Sequence, residues 1–351
     1  MAAEHIREVP SAPKSPPETF SWGDILDMEL PPERPMIEGI MGEETGGIWG
    51  GAPNVGKSFL TVAAARSIAA GSSFLGHFDT SQHTVLVVDE ESHLRGIISR
   101  ARMFEKAEPL GRDLPLHFAV GLGLRVDATP SAMAAVLQLE ALIAKHRPGL
   151  VICDSLTRVH TANENSAPEM ASVFYNVKQL MHAYGCSFLF TDHTRKKGLI
   201  NDVEETLRGS TEKRAWADSI VAVEASDQGR DQLVVTHTKS RHGPRLDPFG
   251  VELAVDSGEG TARLTYTGAV TSSTVSKAND LLAGIHALQA QLGEDGADAA
   301  RLAAWLDCSP ATVTRHTKKL IAIGIITVRK ATTGEKGGRP RDVFDVTGGR
   351  D

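Results

Sequence analysis

Apolar and polar positions fall into blocks whose spacing changes repeatedly along the chain. Runs of four or five apolar residues at Gly47–Gly50, Thr84–Val88, Leu150–Cys153 and Ser187–Phe190 read as buried strands. Between them lie longer stretches in which apolar residues recur at helical spacing: Lys57–Ala70, Ser92–Phe104, Ala132–Lys145 and Pro168–Ala183. Strand and helix in alternation predict an α/β fold, a mostly parallel sheet covered by helices. Four further strands, Ser219–Glu224, Gln232–Thr238, Gly250–Val255 and Ala262–Tyr266, have no helix between them and extend the sheet as antiparallel hairpins.

The flanks break this rhythm. Residues 1–20, rich in Pro, Ser and charge, read as a disordered leader, and Phe20–Met41 as an irregular approach segment. The α/β domain then spans 21–268, and the small residues of 269–276 read as a linker. In 277–348 a helix from Asn279 to Leu292 carries Leu281, Leu282, Ile285, Leu288 and Leu292 on one stripe. A second helix holds Leu302, Trp305 and Leu306. A third opens with Ser309 as N-cap and Pro310 at the first turn, and runs to Ile323 before Gly324. Strands Ile325–Arg329 and Asp342–Val346 flank a Gly-rich tip, Thr332–Gly338. Three helices and a two-stranded wing make the pattern of a small C-terminal winged helix-turn-helix domain.

Composition adds three constraints. At 351 residues and 41% hydrophobic, the chain can build one large core and a satellite. No apolar run is long enough to span a bilayer, and Glu4, Arg7 and several prolines stand where a signal peptide needs an apolar core, so the reading is cytoplasmic, with no membrane partner. Cys153, Cys186 and Cys308 are far apart in apolar surroundings and read as buried thiols with no metal-ligand spacing. Net charge is −7, yet Ser309–Arg341 holds eight basic residues against the single acid Glu335, a net of +7, which leaves −14 for the remainder. An acidic body with a basic tail suggests two working parts.

The chemistry concentrates at strand ends. Gly51-Ala52-Pro53-Asn54-Val55-Gly56-Lys57-Ser58, followed by Phe59, joins a strand to a helix as a phosphate-binding loop does. Its glycines allow backbone amides to turn inward and the helix N-terminus adds its positive end. Lys57 can neutralise phosphates and Ser58 can ligate Mg²⁺, which predicts Mg-ATP as the bound species. Asp154 ends an apolar strand where a P-loop fold holds the metal, although an Asp there also suits a turn or helix cap. Of Asp89, Glu90 and Glu91, one, with Glu91 the first choice, can activate water while the others cap or pair. His193, at the tip of the 187–191 strand, can sense the γ-phosphate or be structural. Lys239 and Arg241 after another strand suit a neighbour's γ-phosphate or a solvated hairpin end.

Gly-Ala-Pro-Asn-Val-Gly-Lys-Ser at 51–58, Val-Val-Asp-Glu-Glu at 87–91 and Val-Ile-Cys-Asp-Ser-Leu-Thr-Arg-Val-His at 151–160 give residues 30–245 a family likeness. Glu164-Asn165-Ser166, Gly185–Phe190 with Asp192-His193, and Arg208-Gly209-Ser210 complete it. The chain resembles the RepA-like branch of RecA-fold ATPases, the hexameric replicative helicases of small plasmids. That resemblance implies a RecA-like P-loop core in which Lys57 and Ser58 bind nucleotide and magnesium. It further implies Glu91 as catalytic base, Asp154 as metal acid and His193 as sensor. Lys239-Ser240-Arg241 resembles the Lys-x-Arg finger of the wider DnaB and RadA relatives. It also implies a homo-oligomeric ring, hexameric in the family, with loops gripping single-stranded DNA in its channel. Those loops would be Thr157–Asn165, with Arg158 and His160, and Thr194–Gly209, with Arg195, Lys196, Lys197 and Arg208. Two departures stand out: neither loop has an aromatic residue for base stacking, and the minimal plasmid helicase lacks the tail domain.

The tail suggests a duplex reader. Burying Val313, Thr317, Leu320 and Ile321 would leave Arg315, Lys318 and Lys319 on other faces of the third helix, and Lys336, Arg339 and Arg341 along the wing. The sequence therefore predicts a DNA-dependent ATPase and helicase serving replication of a plasmid, phage or mobile element. Two other readings stay open: an ATPase switch acting as a regulator or recombination accessory without unwinding, and an NTPase whose tail recruits a protein.

Overall fold

The computed structural model describes residues 19–29, 34–127, 130–193, 211–226, 231–270, 273–293, 296–306, 309–322, 326–331 and 341–346. The chain forms two units, Met1–Glu33 and Arg34–Asp351. In the first, the segment read as irregular contains a short helix, α1 (Trp22–Asp27). A capping box starts it: the Ser21 hydroxyl accepts from the Asp24 amide, and the Asp24 carboxylate accepts from the Ser21 amide. Six residues are too few to display a helical period, so the cap is its one sequence signature.

The second unit begins with β1 (Gly46–Gly51), α2 (Lys57–Ala70), β2 (Val85–Asp89), α3 (Leu94–Ala107) and β3 (Leu116–Val120). It continues through α4 (Pro130–His146), β4 (Leu150–Asp154), α5 (Ala167–Tyr184), β5 (Ser187–His193) and α6 (Thr211–Trp216). Four strands follow: β6 (Ser219–Ala225), β7 (Gln232–Ser240), β8 (Phe249–Asp256) and β9 (Thr261–Ala269). They form one nine-stranded sheet in the order β3-β2-β4-β5-β1-β6-β7-β8-β9. The pairs from β3 to β6 are parallel, and β6 to β9 are antiparallel. This is the mostly parallel, helix-covered α/β sheet expected from the sequence, with the hairpin extension on one side.

Strand alternation explains the two-sided core. Val85, Val87, Leu150, Ile152, Trp49 and Leu189 face one layer with Leu60 and Ile68 of α2. Leu86, Val88, Val151, Cys153, Phe188 and Phe190 face the other, against Met170, Val173 and Val177 of α5. A strand buried on both faces must be apolar throughout, which is why β2, β4 and β5 read as unbroken runs. β3 escaped the sequence reading because it is an edge strand, mostly half-buried, with His117 interrupting its apolar residues. α6 escaped for the same reason as α1, its length of six residues.

Beyond β9 come α7 (Ser273–Leu292), α8 (Ala299–Trp305), α9 (Pro310–Ala322) and an antiparallel pair, β10 (Ile326–Ala331) and β11 (Arg341–Val346). The stretch read as a linker to 276 is shorter than expected: β9 reaches Ala269 and α7 starts at Ser273. Ser and Thr at 273, 274 and 276 suit a first helical turn as well as a linker, and composition alone cannot separate the two. Leu281, Ile285, Leu288, Leu302, Val313 and Leu320 close a separate apolar cluster with Ile326 and Val343. This region is compatible with an additional domain. Asp298 caps α8 by accepting from the Ala300 and Arg301 amides.

Leu302 is fully buried in that cluster. Replacing it with Ala should cost about 2–5 kcal/mol. Hydrogen exchange should then accelerate across α7–α9 and leave β1, β4 and β5 unchanged; uniform acceleration would show that the cluster is not a separate unit of stability.

Candidate functional site

The loop between β1 and α2 sits at the carboxyl edge of the parallel strands, where β5 and β6 flank it. Gly51 closes β1 so tightly that a Cβ there would lie 2.7 Å from the Val223 carbonyl oxygen and 2.9 Å from Val55. Gly56 adopts φ 103°, a left-handed conformation that starts α2. Ala52, Pro53 and Asn54 form the exposed tip, and Val55 and Phe59 pack against the core. Phe59 lies beside Phe104 with ring centroids 6.0 Å apart, so its side chain belongs to the hydrophobic layer. Lys57 is buried and donates to the carbonyls of Gly51 and Ala52, both at 2.9 Å. Burial pulls its ammonium below the usual lysine range, opposed by the charges of Asp154, Glu91 and Asp192.

Register puts the acids in a row. Asp89 of β2 is level with Asp154 of β4. The Asp154 carboxylate accepts from Ser58 Oγ at 2.8 Å and from Thr191 Oγ1 at 2.5 Å. Ser58 and Asp154 thus converge from two elements, as a magnesium site completed by phosphate oxygens and water would need. Among the described residues no group of three His, Cys, Asp or Glu could hold a metal without such help. The loop that leaves no room for a Cβ at Gly51, the buried ammonium of Lys57 and the Ser58–Asp154 pair together fit Mg-ATP.

The run Asp89-Glu90-Glu91 resolves into three destinations. Asp89 is buried, and its Oδ1 accepts from the Glu91 and Ser92 amides at 3.0 and 2.6 Å. Glu90 accepts from the Leu122, Gly123 and Leu124 amides and so fixes the loop after β3. Glu91 is exposed, with Oε1 3.8 Å from His193 Nε2. The ring's other nitrogen, Nδ1, is buried without a hydrogen-bond partner among the described residues. β5 carries His193 to the level of Gly51, directly beside the loop.

Lys239 and Arg241 turn back on their own chain. Lys239 Nζ donates to the carbonyls of Arg214 and Ala217 at 2.5 and 2.6 Å, and Arg241 pairs with Asp218 at 2.7 Å. They therefore clasp the 214–218 segment and do not project as a free pair. In the loop after β4, which makes one 3₁₀ turn at Leu156–Arg158, Arg158 is exposed. His160 departs from the expected DNA-gripping role: it is buried, and that burial pulls its imidazole below the usual histidine range. Arg195, Lys196, Lys197 and Arg208 lie outside the described residues, as do Lys336 and Arg339 and the side chains of Arg315 and Lys319. Lys318 is exposed on α9. Arg341, expected on the wing's DNA face, instead pairs with Asp298 at 2.9 Å because strand β11 runs past the start of α8.

Sequence reasoning missed Thr191 and Lys213. Thr191 is fully buried and gives Asp154 its second donor. Lys213 of α6 is fully buried between Asp192 and Glu164, at 2.7 and 2.9 Å. Neither carries a motif; only the neighbouring positions of β4, β5 and α6 reveal them.

An apolar-cored parallel sheet with a phosphate loop and acids along its carboxyl edge defines a P-loop nucleotide-binding class of α/β protein. The AAA domain family matches residues 11–199, more than half of the chain, and the chain belongs to that family. Comparison with curated proteins gives no match. Among solved structures, one described as a DnaB-like replicative helicase studied with primase is similar with a TM-score of 0.48 and 13% identity. The similarity covers 63% of this chain and 57% of that one, so this chain spans less than two thirds of that helicase chain. No helix among the described residues is long and apolar enough to cross a membrane.

Cys153, one residue before Asp154, is buried and its thiol is pushed upward by that burial and by the charges of Glu90 and Asp154; Cys186 is pushed up to about 11. At pH 8 a thiol of that pKa is thiolate in about one molecule per thousand. In a Cys308→Ser chain, Ellman's reagent should therefore find no fast-reacting thiol until denaturant is added. A rapid native reaction would refute the burial of both thiols.

Proposed function

We propose that the chain is a DNA-dependent ATPase motor, a RepA-like helicase that acts in replication of a plasmid, phage or mobile element. The observation that carries the hydrolytic part is the convergence of Lys57, Ser58 and Asp154 at the loop, with Glu91 and His193 facing each other beside it. On this reading the amides of 51–58 and the Lys57 ammonium bind the phosphates of ATP. Ser58 and Asp154 hold Mg²⁺, which when bound supplies charge neutralisation at the phosphate oxygens. Glu91, the one acid of its run not taken up by backbone amides among the described residues, orients the attacking water and accepts its proton. His193 holds the Glu91 carboxylate and senses the phosphate end. Lys239 and Arg241 keep the 214–218 segment of their own chain in place, and the chain assembles as a hexameric ring.

The DNA part rests on the family resemblance and on the charge of the tail. Single-stranded DNA would contact Arg158 and the 194–209 segment, and duplex would lie on the C-terminal winged helix. The alternative of an ATPase switch without unwinding draws support from the absence of aromatic residues in both loops.

ATP turnover and strand displacement from a forked duplex test the reading together. Lys57→Ala should abolish both, and Glu91→Gln should lower turnover by about 10²–10⁴-fold with nucleotide affinity retained. Turnover without displacement would select the switch; turnover that survives Lys57→Ala would refute the site.

The tail has its own test. Within 309–341, Arg329, Lys330 and Arg341 pair with Asp345, Asp342 and Asp298. Five basic residues remain from the sequence count: Arg315, Lys318, Lys319, Lys336 and Arg339. Duplex affinity should thus fall with a log–log salt slope of about −4 to −5, and a chain truncated near residue 275 should lose it. A slope near zero would point to a protein partner for the tail.

A further inference from the structure

A lysine ammonium is strongly hydrated, and complete burial is tolerated only where carboxylates replace the water. Lys213 meets that condition with two acids from different segments: Glu164, in the loop after β4, and Asp192, near the tip of β5. Asp192 is itself fully buried, and its other oxygen accepts from the His193 amide at 2.7 Å.

Followed outward, these contacts close on themselves. His193 faces Glu91. The adjacent Glu90 holds the amides of 122–124. The next residues of that loop hold the segment after β4: the Val126 amide donates to the Val159 carbonyl at 2.7 Å, and Asp127 accepts from both the amide and the hydroxyl of Thr161. Three residues further on stands Glu164, back at Lys213. One ammonium bridges the 155–166 loop to the strand that carries His193, and removing it leaves two acids facing each other with no cation between them.

We propose that Lys213 is a positioning residue that couples the 155–166 loop to the Glu91–His193 pair. A DNA strand that displaces the loop moves Glu164, and through Lys213 and Asp192 it shifts His193 against Glu91 and changes the rate of hydrolysis. The inference rests on the reading of this chain as a DNA-stimulated ATPase.

The test is the ratio of ATP turnover with saturating oligothymidylate to turnover without it, on the full chain. Both rates scale with the folded fraction, so the ratio is insensitive to simple loss of stability. Lys213→Met should reduce the ratio by about fivefold or more. Glu164→Gln, which keeps the Lys213–Asp192 pair and folds if Lys213→Met does not, should reduce it by about twofold. In both variants anisotropy should show oligothymidylate affinity retained. A stimulated wild type with equally stimulated variants overturns the strut alone, as does loss of stimulation that merely follows loss of DNA affinity. A wild type that hydrolyses ATP but ignores the oligonucleotide overturns the DNA-stimulated reading, and the strut with it.

Discussion

A carboxylate at the end of a strand buried on both faces has little water to turn to, and Asp154 takes its donors from protein. It accepts from Ser58 at the start of α2 and from Thr191 on β5, and this sets the relative position of three elements. β5 lies between β1 and β4 in the sheet. The helix after the phosphate loop must start at a height where a hydroxyl in its first turn reaches the acid. The same placement brings His193 level with Gly51 and Asp89 level with Asp154. A charge-assisted hydrogen bond of this kind is a modest stabiliser but a demanding one geometrically.

What could be read from the chain alone follows from where periodicity is strong. β2, β4 and β5 are covered by helices on both sides, so nearly every residue must be apolar, and the runs announce themselves. The phosphate loop is equally legible because backbone geometry restricts Gly51 and Gly56 to glycine. Edge strand β3 and six-residue α6 have too few constrained positions to leave a pattern. The role of Lys213 was hidden for a different reason: a lysine reads as a surface residue until the fold supplies two acids from 21 and 49 positions away. His160 shows the reverse error, a polar residue in a loop read as outward-facing that the fold turns inward beside Leu156 and Val159.

The acids of 89–91 show how consecutive identical charges acquire unlike tasks. Spacing cannot separate them, because all three lie within one turn of chain. Separation comes from the backbone: the turn after β2 offers amides to Asp89, and the loop after β3 offers amides to Glu90. Glu91 takes no such amide among the described residues and stays exposed.

Strands β10 and β11 pair their cations with acids across and beside the sheet. Such pairs mute the long-range attraction that draws a polyanion to any basic surface. On the proposed reading the tail would linger little on arbitrary sequence, and its residence would depend on the fit of α9 to a particular site.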